Sequence, residues 1–370
     1  MADNKDKKVL NVPALRFPGF TEEWRKDTLQ NVVTFSNGKA HENCVDENGS
    51  YILVNSKFVS TDGSVVKKVT SQLSPLSKSQ FVMVMSDLPN GKALAKCYYI
   101  EEDNIYTLNQ RICSFSAKNG NISRFLMYQI NRNKYYLRFD DGINQTNLKK
   151  GEVLACPVFI PSVEEQKKIA TFIHLLDERI ATQNKIIEKL EALIKGITIL
   201  LTTKGEQNTA ISQCLECHSS TLQESEILPN GLYKVFGANG LVGYTDIPQM
   251  NGDAILIIKD GSGVGTTSYA QGKFSVIGTL NCLTAIGNYD LRYLYFALSV
   301  FNFQPYRTGM AIPHIYFRDY GTAKIYCPSY VEQKHIADVL GKLENKLFLE
   351  QNILTSFNLQ KRYLLGRMFI

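Results

Sequence analysis

Apolar side chains recur at alternating steps of four and three along two stretches of this chain. The first runs Ile169, Ile173, Leu176, Ile180, Gln183, Ile187, Leu190, Ile194, Ile197, Leu201. The second runs Ile336, Leu340, Leu343, Leu347, Glu350, Leu354, Phe357, Lys361, Leu364, Met368. An apolar period of ~3.5 residues sustained this long predicts helices that pair as a coiled coil. Some forty residues of helix span about 60 Å at ~1.5 Å per residue. The stretches are copies: residues 161–203 lie over 328–370 without a gap, at an offset of 167. Each opens on Pro-Ser-x-x-Glu-Gln-Lys, or close to it. Ser162 stands three residues before Glu165, and Ser329 three before Glu332. That spacing predicts a capping box, in which the Ser accepts from the N3 amide and the Glu reaches back to the Ser amide. Charged residues between the seam positions, such as Asp177, Glu178, Arg179, Lys185 and Lys189, read as a solvated or partner-facing surface. Both helices carry a polar seam residue, Gln183 and Glu350. If the helices run antiparallel with ends matched, these two meet at the centre and set the register; otherwise both turn to water.

Ahead of each helix lies a module of mixed pattern. Residues 20–160 hold strand-like runs at Tyr51–Asn55, Gln80–Met85 and Ile112–Ser116, and a helix over Asn121–Ile130. Residues 204–327 are richer in turns, with strand character at Tyr233–Gly237 and Ala254–Ile258 and helical character at Leu291–Val300. The modules echo each other: Thr107-Leu108-Asn109 against Thr279-Leu280-Asn281, and, at the same offset of 167, Gly142 against Gly309 and Leu148 against Ile315. The expected architecture is α/β (mixed α+β), two globular domains joined by two long antiparallel helices with an internal pseudo-twofold repeat. Its expected divisions are 1–160, 161–203, 204–327 and 328–370.

Composition narrows the class. The chain has 370 residues, 44% of them hydrophobic and 21% charged, as in ordinary globular protein. Met1–Lys8 is polar and basic, with no secretory pattern behind it, and no run approaches the ~20 apolar residues of a membrane helix. The eight cysteines are scattered, and read as reduced thiols of a cytoplasmic protein. Net charge is +6, distributed unevenly. Residues 1–160 carry 21 basic and 16 acidic side chains, the mild excess of a nucleic-acid binder. Residues 204–327 carry eight against nine, so the second module has no net basic excess and would need to cluster its Lys and Arg on one face.

Motifs for catalysis fall away one by one. Cys214-Leu-Glu-Cys217-His218 fits the haem-attachment pattern, but that chemistry goes with export. Zinc needs two further ligands, and there is no second Cys pair. Gly261-Ser-Gly263-Val-Gly265-Thr266 lacks both the P-loop spacing and the last glycine of the dinucleotide fingerprint, leaving a tight turn between strands. Glu165-x-Lys167 and Glu332-x-Lys334 resemble half of a nuclease site, yet capping accounts for both Glu. There is no adenine-methyltransferase tetrapeptide, no Gly-x-Ser-x-Gly elbow and no His-Glu-x-x-His pair. The chain is expected to be non-catalytic and to hold no cofactor or metal.

Residues that can grip phosphates or base edges cluster instead. Arg132, Asn133, Lys134, Tyr135 and Arg138 form the densest basic, aromatic and amide stretch, followed by Asn144, Gln145, Asn147 and Lys149. The second module offers Gln304, Tyr306, Arg307 and His314. Arg and Lys suit phosphate and guanine, Asn and Gln suit adenine. For any one of them taken alone, a solvated helix end or loop is the simpler reading.

The paired Pro-Ser-x-x-Glu-Gln-Lys helix starts, each heading a heptad helix after a variable module, resemble the specificity subunit of type I restriction–modification enzymes. So do the opening Leu15-Arg16-Phe17-Pro18-Gly19-Phe20 with Trp24, and Tyr233-Lys-Val-Phe-Gly-Ala-Asn-Gly240. The resemblance covers nearly the whole chain. It implies two target-recognition domains, each reading one half of a split, asymmetric sequence in double-stranded DNA. It implies helices that fix the gap and dock methyltransferase (modification) subunits, which restriction (motor–nuclease) subunits join. S-adenosylmethionine, ATP and Mg²⁺ would belong to those partners. Ser162, Glu165 and Gln166, with Ser329, Glu332 and Gln333, correspond to the conserved helix starts. Two rival expectations remain: a non-DNA coiled-coil scaffold joining two protein-binding modules, and an enzyme using an unrecognised site near Cys214–His218.

Overall fold

A computed structural model of the chain describes residues 11–220, 222–309 and 312–370; Met1–Lys8 lies outside the described residues. The chain divides into two compact units, one drawn from residues up to Ala181 together with Thr355–Ile370, the other from Thr182–Leu354. The long helices are Val163–Thr202 and Tyr330–Met368, and each contributes one part to each unit. No helix among the described residues is long and apolar enough to cross a membrane.

In the first unit a four-stranded antiparallel sheet has the order Val33–Asn37, Ile112–Ala117, Phe81–Val84, Cys97–Tyr99. Its central strand is apolar at every position because both faces are covered. Phe81 and Met83 face a core built with the helix Ser123–Ile130, while Val82 and Val84 face a second core with Val54, Phe58 and Leu108. That second core is roofed by a three-stranded sheet in which Tyr51–Val54 pairs parallel with Tyr106–Leu108.

The second unit repeats the plan with other residues. Its sheet runs Leu215–His218, Leu280–Ala285, Ala254–Ile258, Thr267–Ala270. Ile255 and Ile257 face the core under the helix Leu291–Ser299, and Ala254 and Leu256 face the other. A second four-stranded sheet covers that side, again with one parallel pair, Tyr233–Gly237 on Lys273–Val276. The Thr-Leu-Asn echo does not fall on equivalent places. Leu108 ends a strand of the covering sheet, whereas Leu280 opens a strand of the central one. The echo between Leu148 and Ile315 is structural: Leu148 N donates to Met85 O (2.8 Å) and Ile315 N to Lys259 O (2.9 Å), each carbonyl lying just past its central strand.

The helices run antiparallel within each unit. In the first, Asp177 pairs with Lys361 (2.5 Å), and Ile169, Ile173 and Leu176 share a core with Leu364 and Met368. In the second, Gln183 Nε2 donates to the Glu350 carboxylate (2.6 Å) and carbonyl (3.0 Å), and Lys204 pairs with Glu332. Ile187, Leu190, Ile336 and Leu340 are buried, while Ile180, Leu343, Leu347 and Leu354 are half-buried.

Three local expectations need correction. Ser162 and Ser329 each accept from the N3 amide (3.3 and 3.4 Å), but the Glu partners do not close a box. Both Glu165 oxygens are taken by Arg16 (2.6 and 2.7 Å), and Glu332 takes Lys204, because a cation is a stronger partner than an amide. Asp177 is not a freely solvated charge, since it also accepts from Tyr128 Oη (2.6 Å). The predicted helix at Asn121 begins at Ser123, because the Asn121 side chain is held by Gln166.

Candidate nucleic-acid interface

Strand direction decides which loops share an end of each sheet. In the first unit, Asn37 pairs with Cys113, Val84 with Ile112, and Met83 with Cys97. The connections 38–44, 85–96 and 109–111 therefore leave from one end. The segment 138–150 joins them: Thr146–Asn147 pairs with Ser86–Asp87, Gln145 Nε2 reaches Ser86 Oγ (2.8 Å), and Asn90 N donates to Asp140 (3.1 Å). Lys39, Lys92, Arg111, Lys149 and Lys150 are exposed there, while Glu101, Glu102 and Asp103 crowd the opposite end. Asn90, Ala95, Arg111 and Arg132 all hold left-handed backbone (φ +55°, +55°, +65°, +54°) at this end. Such conformations cost free energy in non-glycine residues; Ser79, Asn104 and Asn119 hold them too (φ +70°, +62°, +56°) at the opposite end.

The equivalent end of the second unit is set by His218 opposite Cys282 and Ile258 opposite Leu280. The connection 259–266 leaves here, with Gly261 and Gly265 left-handed (φ +94° and +90°) and Gly265 N closing on Ile258 O (2.9 Å). Where the first unit uses strained non-glycine residues, this one uses glycine. Residues 306–309 and 312–316 lie alongside: His314 bridges to Asp260 and Thr308, and Gly261 N donates to Pro313 O (2.9 Å). The bridge His314–Asp260 matches Asn147–Ser86 of the first unit, and Gly142 and Gly309 are both left-handed (φ +71° and +84°). Both units thus lay an equivalent extended segment against the exit of the central strand.

The candidate residues separate into two groups. Arg132 and Asn133 are anchors. Arg132 Nη1 donates to Leu94 O (3.0 Å) and Gly91 O (3.3 Å), and Asn133 caps Lys134–Leu137 through Tyr135 N (2.9 Å). Tyr135 is half-buried against Tyr136 and Phe139, with Arg138 stacked on it (4.1 Å). Asn144 closes a turn on Asp141, whose carboxylate those hydrogen bonds pull down to about 2. Lys134, Asn147 and Lys149 are exposed. In the second unit Gln304 is exposed and accepts from Arg307 (3.1 Å), Tyr306 stacks on Phe301 (5.9 Å), and His314 lies edge-on to Tyr316 (5.0 Å). Cys214, Cys217 and His218 do not converge. Cys214 Sγ is buried against Ile211 O (3.3 Å), and Cys217 and His218 alternate across a strand, with His218 on Thr284 (2.7 Å). Among the described residues there is no cluster of His, Cys, Asp or Glu able to hold a metal ion.

Several organising contacts escaped the sequence reading. Gln166 is buried, accepts from Ile122 N (2.9 Å) and donates to Pro161 O (3.0 Å); Gln333 accepts from Asp290 N (3.0 Å) and donates to Pro328 O (2.8 Å). Ile122 and Asp290 are the N-caps of the two module helices. Tyr128 bonds Asp177 as Tyr295 bonds Glu344 (2.9 Å), again at an offset of 167. Burial, then the neighbouring carboxylate, pushes both phenols up. The repeat signal was present in Tyr128 and Tyr295, one turn into helices already identified. The opening segment laces onto both long helices: Leu15 N donates to Arg367 O (2.8 Å), Phe17 lies edge-on to Phe172 (5.5 Å), and Trp24 packs on Phe125 (5.8 Å) and Phe369 (6.5 Å).

Comparison with known proteins agrees with this duplicated plan. A family model described as the type I restriction modification DNA specificity domain matches twice, over residues 21–192 and 214–358. A curated relative, the type I restriction enzyme EcoprrI specificity subunit of Escherichia coli, is 24% identical over 113 residues. That alignment takes in 30% of this chain and 28% of the relative. Among solved structures, the S subunit of a type I restriction–modification system from M. genitalium superposes with a TM-score of 0.69 at 17% identity, covering 97% of this chain and 99% of that one. A chain from a structure on complex assembly and conformational transition of the type I R-M system gives 0.53 at 15% identity, covering 96% and 99%.

Proposed function

This chain belongs to the type I restriction modification DNA specificity family, and on that premise we propose that it is the DNA sequence-recognition subunit of a type I restriction–modification complex. Residues 1–160 and 204–327 act as target-recognition domains, each reading one half of a bipartite, asymmetric DNA target. Residues 161–203 and 328–370 are the conserved helices that set the gap and dock the methyltransferase subunits, to which the restriction subunits add. S-adenosylmethionine, ATP and Mg²⁺ are held by those partners, and the complex works in the cytoplasm.

One observation carries this reading. Two units of the same topology present polar loops from the same end of the same sheet, with different residues at equivalent places. A shared frame with different contents is what two unlike half-sites require. In the first unit that end gathers Lys39, Lys92, Arg111, Lys149 and Lys150, suited to the phosphate contacts that supply most affinity and its salt dependence. Of the sequence candidates, we assign DNA contact to Lys134, Arg138, Gln145, Asn147 and Lys149, with Gln304, Arg307 and His314 in the second unit; Arg132, Asn133 and Asn144 shape the loops. The test is genome-wide base-modification sequencing in a host lacking type I systems, carrying the cognate methyltransferase gene with and without this chain. A split adenine-methylated motif that depends on the chain is expected. No motif from an assembled complex would overturn the proposal.

A further inference from the structure

We propose that the loop Asn37–Asn43, pinned from beneath by His41, is a further base-reading element of the first half-site; this rests on the DNA-recognition function above. The loop leaves the strand Val33–Asn37 at the sheet end that carries residues 138–150. Its backbone is fixed at four points. Gly38 N donates to Ile112 O and Lys39 N to Leu108 O (both 3.1 Å), Cys44 N returns to His41 O (3.0 Å), and Thr70 N donates to Cys44 O (2.9 Å). Gly38 is obligatory, since a Cβ there would stand 1.9 Å from Asn109 O.

His41 locks the underside. It is 1% exposed, the only buried residue of the loop. Nδ1 lies 2.7 Å from Lys39 O, so it carries the proton and donates. Nε2 then accepts from Thr107 Oγ1 (2.9 Å) and Leu73 N (3.3 Å), and Thr107 Oγ1 accepts in turn from Ser74 N (3.2 Å). One ring therefore ties the loop to two other segments. Asn37, Lys39 and Asn43 are exposed, and their side chains have no hydrogen-bond partner among the described residues, whereas the exposed Glu42 carboxylate is taken up by Gln110 Nε2 (2.6 Å). Exposed amides and an ammonium on a rigid backbone are what base-edge readout needs: amides for adenine, Lys for guanine or phosphate.

The test uses the assembled methyltransferase complex and methylation sequencing. The triple variant Asn37→Ala, Lys39→Ala, Asn43→Ala alters only exposed side chains. It should make one half of the motif degenerate, leave the other half intact, and lower affinity for the target about 5- to 150-fold per lost base contact. His41→Ala, though it cannot touch DNA, should loosen the same half, with His41→Asn, which keeps a donor towards Lys39 O, restoring part of it. An unchanged motif from the triple variant in an assembled complex would overturn the inference. Absence of any split motif with the unaltered chain would instead remove the function on which it rests.

Discussion

At the scale of single residues, buried polar atoms do the orienting that apolar packing cannot. Gln166 and Gln333 each satisfy the amide that begins a module helix, so the module cannot rotate on its long helix without stranding a donor. Gln166→Ala and Gln333→Ala should each cost about 1–3 kcal/mol, the penalty of an unsatisfied buried amide, measured by urea unfolding. A loss no greater than that of an exposed Gln→Ala control would show the contact to be incidental. Tyr128 and Tyr295 add a pH dependence of defined sign. Their folded values are raised, so the unfolded chain releases these protons first, from about pH 10. Their contribution is therefore complete below pH ~10 and lost as pH rises through the folded values. The unfolding midpoint should fall on the alkaline side, and Tyr128→Phe with Tyr295→Phe should make that fall shallower. Equal slopes in the variant and the parent would place the titration elsewhere.

At the scale of elements, what the sequence revealed and what it hid have one physical cause. The long helices were legible because a 3.5-residue period repeats over some forty residues, and Gln183 and Glu350 stood out as its polar exceptions. The strand Ala254–Ile258 was legible as an unbroken apolar run, since a strand covered on both faces leaves no polar position. The short strands and the shared end of each sheet were not, because pairing joins residues far apart, as Asn37 to Cys113. For the same reason Arg132 read as a DNA contact: nothing local shows that its guanidinium turns inward to Gly91 and Leu94. Gly261–Thr266 read correctly as a turn, but only the contact of Gly261 with Pro313 places it beside the candidate residues. The helices also carry a prediction. Removing one heptad from each, between Ile187 and Ile194 and between Leu354 and Lys361, keeps the seam in phase and shortens each by about 10 Å at ~1.5 Å per residue. The gap between methylated half-sites should shrink by about three base pairs, at roughly 3.4 Å of DNA axis each. An unchanged gap would overturn the proposed role of the helices as a spacer.

At the scale of the whole chain, the duplication separates what must be kept from what can vary. The kept contacts are those that join module to helix: Gln166 to Ile122 and Tyr128 to Asp177 in one unit, Gln333 to Asp290 and Tyr295 to Glu344 in the other. At the sheet ends only the segments laid against the central-strand exits match, and there Asn147 and His314 occupy equivalent bridges with unrelated side chains. On the proposed function, a chain organised this way would change one half of its target without disturbing the other. Replacing residues 20–150 with the corresponding module of another family member tests this at full scale, provided the incoming module has a Tyr where Tyr128 stands and a free amide where Ile122 caps its helix. The methylated motif should then change in one half only, with the gap and the other half preserved. A donor module lacking the Tyr should give a less stable chain with the same new half-site, separating attachment from recognition. Change in both halves would mean that the two modules do not read independently, and the one-module, one-half-site reading would fall.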